Sequence, residues 1–98
     1  MRVRFGDRQL QRRYESHRLA ERAWGAIVAR RYVMRIDAIR AASNTGDLYA
    51  NPSLRFHGLT GDRHGQFAVS ITGQKRLILT FEDDNATAVI VEVVDYHG

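Results

Sequence analysis

The chain contains no cysteine. Disulfides and thiolate metal sites are therefore excluded, and a reducing compartment such as the cytoplasm is the expected location. Its single proline, Pro52, marks one expected bend, at Asn51-Pro52. No apolar stretch approaches the length of a membrane span. The first residues, Met1 to Asp7, carry no apolar run of the kind a signal peptide needs, so none is expected. The four histidines, His17, His57, His64 and His97, show no zinc-type spacing. The Asp83-Asp84-Asn85 segment lacks the other ligands of a calcium loop. No glycine-rich phosphate loop and no nucleophile elbow is present. Neither a metal nor an organic cofactor is expected. Repeats, low-complexity tracts and linkers are absent too, so the 98 residues read as one domain, 1–98.

Lysine is nearly absent: Lys75 stands alone among 15 basic residues, the rest being arginine. Net charge is +4 and the sequence pI is about 10.1. Arginine suits phosphate and carboxylate because its planar fork makes two parallel hydrogen bonds. A basic chain of this size points to a polyanion or an acidic protein as partner. A GC-rich genome accounts equally well for arginine over lysine, but not for the positive net charge.

Periodicity predicts the elements. Val3 and Phe5 share one face of a short strand. Asp7 offers an N-cap to a helix whose apolar face carries Leu10, Tyr14 and His17. Trp24-Gly25 interrupts it. A second helix runs from Ala26 to about Ala42 on a stripe of Val28, Tyr32, Ile36 and Ile39. Ser43 to Asp47 is a stop and turn, and Leu48 to Pro52 a connection. Strands are expected over Leu54–Leu59, around Phe67-Val69-Ile71, around Leu77-Leu79-Phe81, and over Thr87–Val94. Tight turns between them force antiparallel neighbours. The prediction is an α+β domain: a short N-terminal strand and two helices packed on one face of a mainly antiparallel sheet of four to five strands.

The chemistry gathers at the end of the last strand. Asp95, Tyr96 and His97 follow a long β-branched run, so three proton-handling groups sit where a rigid element stops. Cleaving RNA needs a base for the 2′-hydroxyl, a cation for the charge developing on phosphorus oxygens, and an acid for the leaving 5′-oxygen. His57 and His97 are the natural proton carriers. Asp95 serves as base or orients a histidine, Arg76 clamps phosphate, and Tyr96 stacks on a base or donates a hydrogen bond. Each of these residues also has a plain structural role open to it: His57 as a strand residue, Arg76 as a solvated strand-end charge, the last three as a frayed tail. His64 reads as turn material and His17 as structural.

Three segments carry a resemblance. They are Phe56-His57-Gly58-Leu59-Thr60-Gly61-Asp62-Arg63-His64-Gly65-Gln66, then Lys75-Arg76-Leu77-Ile78-Leu79-Thr80-Phe81, then Val91-Glu92-Val93-Val94-Asp95-Tyr96-His97. In this order they resemble the HigB-type branch of the RelE/ParE toxins, also described as plasmid maintenance system killer proteins. The helix from Ala29-Arg30-Arg31 to Ala42 resembles that branch's second helix. The resemblance implies a small microbial-ribonuclease-like fold and a toxin of a type II toxin–antitoxin system. It also implies a ribosome-dependent endoribonuclease that cuts messenger RNA in the A site. The implied partners are a helix-turn-helix antitoxin (HigA-like), the ribosome and mRNA, with no membrane and with DNA reached only through the antitoxin. Carried over by position, His57, Arg76, Asp95, Tyr96 and His97 are the catalytic set; Arg55, Arg63, Lys75, Arg30 and Arg31 are expected to bind RNA. Thr60 stands where some members have a lysine, so Arg63 or Arg55 is expected to supply the missing charge. A gyrase-binding ParE-like toxin, or a non-catalytic RNA- or protein-binding remnant, would share the fold.

Overall fold

The computed structural model of the chain describes residues 1–96; His97 and Gly98 lie outside the described residues. Strand β1 (Arg2–Phe5) leads into four helices, α1 (Arg8–Glu15), α2 (His17–Trp24), α3 (Ala26–Ala41) and α4 (Thr45–Ala50). Strands β2 (His57–Gly58), β3 (Phe67–Ser70), β4 (Lys75–Glu82) and β5 (Thr87–Asp95) follow. They form one sheet in the order β1-β5-β4-β3-β2. All neighbours are antiparallel except β1 and β5, which run parallel. The helices form the crossover that a parallel pair requires. The architecture is α+β, as the pattern predicts.

Four helices replace the expected two, and capping residues are the reason. Asp7 caps α1, its side chain accepting from the Leu10 N–H at 3.1 Å. Ser16 then takes extended backbone (φ −126°, ψ 107°) and ends α1 while its hydroxyl caps α2 at Leu19 N. The expected face Leu10-Tyr14-His17 is thus cut, and His17 opens the next helix beside Glu21 at 3.2 Å. Asn44 caps Asp47 N at 3.1 Å and starts α4 where a plain connection was expected; Leu48 anchors that helix in the core. Gly25, at φ 82°, separates α2 from α3 as anticipated.

The Leu54–Leu59 strand is also corrected. Leu54 and Phe56 are both buried, at 1% and 7% exposure. A regular strand would bury both as well, since residues two apart share a face; the strand is broken because Arg55 between them takes the left-handed region at φ 47°. Only His57 and Gly58 then pair with β3.

The core lies between the helices and one face of the sheet. Tyr32, Ile36 and Ile39 of α3 meet Val69, Leu77, Leu79, Ala88 and Ile90. Ala29 is more deeply buried than Val28 on that stripe. The Tyr32 hydroxyl donates to the Leu10 carbonyl at 2.7 Å, so the one polar atom of this ring is satisfied inside the core.

The register contains one irregularity that decides the site. Leu79 pairs with Ile90, but Ile78 pairs with Glu92, so Val91 is an extra residue on β5. Before it, Ala88 and Ile90 face the core; after it, Val93 does. A period-two strand without the bulge would turn Glu92, Val94 and Tyr96 inward. With it, they face the open side of the sheet, on the same face as Arg76.

Candidate active site

Four of the expected residues converge on that open face. Arg55, His57, Arg76 and Tyr96, with Ser70, Thr72 and Gly73, line a hollow of about 90 Å³. Its lining holds two guanidiniums and no carboxylate, so the hollow attracts anions and has room for a phosphate-sized group. Larger hollows of about 390 and 470 Å³ lie over α1 and α2, but they bring no proton carrier together with a phosphate clamp and an aromatic ring.

Each side chain arrives for a local reason. Ser70 pairs with Arg76 and Ala68 with His57, so neighbouring strands present the guanidinium and the imidazole on one face. The Arg76 guanidinium lies over the Tyr96 ring, 3.5 Å from its centroid. A guanidinium stacked flat keeps its in-plane N–H groups available to an anion. Tyr96 is 45% exposed, and its backbone N–H donates to the Gln74 carbonyl at 2.6 Å. His57 Nδ1 lies 2.8 Å from the Arg55 carbonyl. A carbonyl only accepts, so Nδ1 carries the hydrogen and Nε2 is left to take or give a proton. The left-handed turn at Arg55 therefore places both a cation and the carbonyl that fixes the histidine tautomer.

The other expected residues lie elsewhere. Asp95 pairs in register with Lys75, on the core-facing parity of Leu77 and Val93, and its carboxylate is ion-paired with Lys75 Nζ. Neither lines the hollow. His97 lies outside the described residues. Arg63 is on the open face but engaged, its Nη1 donating to Glu92 and Gln66 at 2.8 Å each. Arg30 and Arg31 are on α3, and Arg31 Nη1 reaches the Ile71 carbonyl at 3.5 Å. Thr60 is exposed and also outside the lining. Among the described residues no cluster of three His, Asp or Glu side chains could hold a metal. Sequence reasoning passed over Ser70, Thr72 and Gly73; their place in a tight turn immediately before Arg76 was the available signal.

The family model for HigB-like toxins, described as RelE-like toxin of type II toxin–antitoxin system HigB, matches residues 3–97. No curated protein matches the sequence. Among solved structures, a YoeB/ParE toxin from Agrobacterium tumefaciens is similar over 99% of this chain and 100% of its own, with TM-score 0.59 and 14% identity. A YoeB–YefM complex from Staphylococcus aureus is similar over 100% of this chain and 98% of that one, with TM-score 0.63 and 13% identity. YafQ from Escherichia coli strain BL21(DE3) covers 97% and 93%, with TM-score 0.59 and 14% identity. At such identities these likenesses speak for the fold. The match of the family model along nearly the whole chain settles the family: this protein belongs to the HigB-like toxins, RelE-like members of type II toxin–antitoxin systems.

Proposed function

We propose that this toxin is a metal-independent endoribonuclease that cuts messenger RNA in the ribosomal A site and so stops translation. One observation carries the reading. An imidazole, a phenol and two guanidiniums share one anion-attracting hollow on the open sheet face. A protein that only bound gyrase would need no such set. Because the 2′-hydroxyl of RNA is itself the nucleophile, the protein need only move protons and hold charge.

The scissile phosphate sits against the Arg76 fork, with Arg55 supplying the second charge. In this reading Arg55, not Arg63, replaces the family's lysine, since Arg63 is already held by Glu92. The 2′-oxygen attacks phosphorus as its proton is drawn off. Arg76 stabilises the charge on the equatorial oxygens, and the 5′-oxygen leaves with a proton. His57 Nε2 is one proton carrier and the His97 imidazole the other. Tyr96 stacks a base or donates to the phosphate. Asp95, bound to Lys75, orients the terminal segment. The products are a 2′,3′-cyclic phosphate and a 5′-hydroxyl. Arg63, Arg30 and Arg31 add sequence-independent attraction for RNA phosphate. A helix-turn-helix antitoxin is the partner that silences the toxin, and DNA is met only through it; the YoeB–YefM complex among the similar structures supports an antitoxin partner.

The test is cleavage of mRNA on purified ribosomes. Wild type is expected to produce 5′-hydroxyl ends, and His57→Ala and Arg76→Ala to slow the single-turnover rate by about 100-fold or more. Wild-type rates in both variants would remove the hollow from the chemistry.

A further inference from the structure

Arg35 lies on α3, and nothing in the proton-transfer scheme uses it. Its Nε donates to the Ser70 carbonyl at 2.8 Å. Arg31, one turn earlier, donates to the next carbonyl, that of Ile71, at 3.5 Å. Two arginines at this spacing repel each other. Burial first, and Arg31 second, hold the Arg35 guanidinium below its ordinary pKa. A charge in that setting persists only where an acceptor compensates it, and here the acceptors belong to the segment that walls the hollow.

Ser70 is a junction. Its N–H donates to the Leu54 carbonyl at 2.8 Å, next to Arg55, whose own carbonyl holds His57. Its hydroxyl donates to the Thr72 carbonyl at 3.2 Å. Thr72 Oγ1 in turn accepts from Gln74 N at 3.2 Å and Lys75 N at 3.1 Å. The Gln74 carbonyl accepts the Tyr96 N–H. One connected path therefore leads from Arg35 to both the histidine segment and the tyrosine.

We infer that Arg35, assisted by Arg31, is a positioning residue. By anchoring the Ser70 carbonyl it holds the turn over residues 70–74, and through that turn it sets the spacing of His57 and Tyr96 across the hollow. The catalytic consequence rests on the nuclease reading; the structural consequence does not. Misplacing reacting groups by about 1 Å can cost on the order of 100-fold in rate.

The test pairs a kinetic and a structural readout on the full-length toxin. Arg35→Gln is expected to lower the saturating single-turnover rate at least about 10-fold with half-saturation changed less than about twofold. Arg35→Lys, which keeps a cationic donor, should recover part of the loss. Arg18→Gln on α2 removes the same charge and should leave the rate unchanged. In parallel, amide hydrogen exchange in Arg35→Gln should accelerate at Ser70, Lys75 and Tyr96 but not at Val89 on β5. Unchanged exchange at those three amides overturns the inference whether or not the protein cuts RNA. So does uniform acceleration throughout the sheet, which marks a general stability role. If Arg35→Gln does not fold, Arg35→Lys and Arg31→Gln carry the same readouts, and wild-type values in both overturn it. Absence of cutting by wild type itself would remove the nuclease reading and leave the exchange result to stand or fall alone.

Discussion

Arg55 shows how much one backbone angle does here. A non-glycine residue in the left-handed region is strained by about 1–2 kcal/mol, and Arg55 takes that conformation at φ 47° between the buried Leu54 and Phe56. The same angle directs its carbonyl to His57 Nδ1. Glycine tolerates this conformation but lacks the cation. Arg55→Gly is therefore expected to change unfolding stability by less than about 1 kcal/mol, read by urea titration. The ribosomal cleavage rate should fall at least about 10-fold. Retention of full cleavage by Arg55→Gly would mean that the charge replacing the family lysine comes from elsewhere. None of this strain was legible in the sequence: neither glycine nor asparagine marks the position, and the run Leu54 to Leu59 reads as an ordinary strand. That His57, Arg76 and Tyr96 lie together, by contrast, was expected from the resemblance of the segments that carry them, and the hollow brings them together.

The β5 bulge does for a strand what Arg55 does for a residue. The extra Val91 inverts the parity of everything after it and so brings Tyr96 to Arg76. Deleting Val91 makes Ile90 and Glu92 consecutive, so Glu92, Val94 and Tyr96 are expected to keep the open face in a regular strand. Inserting one alanine after Glu92 instead inverts the parity of all that follows, turns Val94 and Tyr96 inward, and should abolish cleavage. A stable, active insertion variant would show that the register can slip without penalty. The bulge was invisible beforehand because Ala88 to Val94 is apolar nearly throughout, with no alternation to break. Helix boundaries failed for a different reason: Ser16 and Asn44 are polar residues whose capping role depends on a local turn that periodicity does not report. The packing of α1 on α3 makes a further prediction. Burial raises the Tyr32 phenol above its ordinary value of 10.0. The neutral form is thus favoured in the folded state, and the associated stability is intact below pH 10 and declines as pH rises beyond it. Urea midpoints measured on either side of pH 10 should fall with pH in wild type and fall less steeply in Tyr32→Phe. An equal slope in both would place the alkaline sensitivity elsewhere.

Taken whole, the molecule separates its labour by layer. The helix-covered face of the sheet carries the apolar core, and the opposite face carries the hollow, with a net charge of +4 available to draw a polyanion toward it. No helix among the described residues is long and apolar enough to cross a membrane. The fold class, the α3 stripe, most strand positions and the family were readable from hydrophobic period and from motifs near the strand ends. The division of the expected site was not: strand parity sends Lys75 and Asp95 to one face and Arg76 and Tyr96 to the other, and parity after a bulge is fixed only by three-dimensional packing. The most direct measurement is a map of mRNA 5′ ends in cells shortly after controlled expression of wild type and of Arg76→Ala. In-frame 5′-hydroxyl ends within coding regions, present with wild type and nearly absent with Arg76→Ala, are the expected result. Intact mRNA together with accumulating DNA breaks would contradict it and point to a gyrase poison on the same fold.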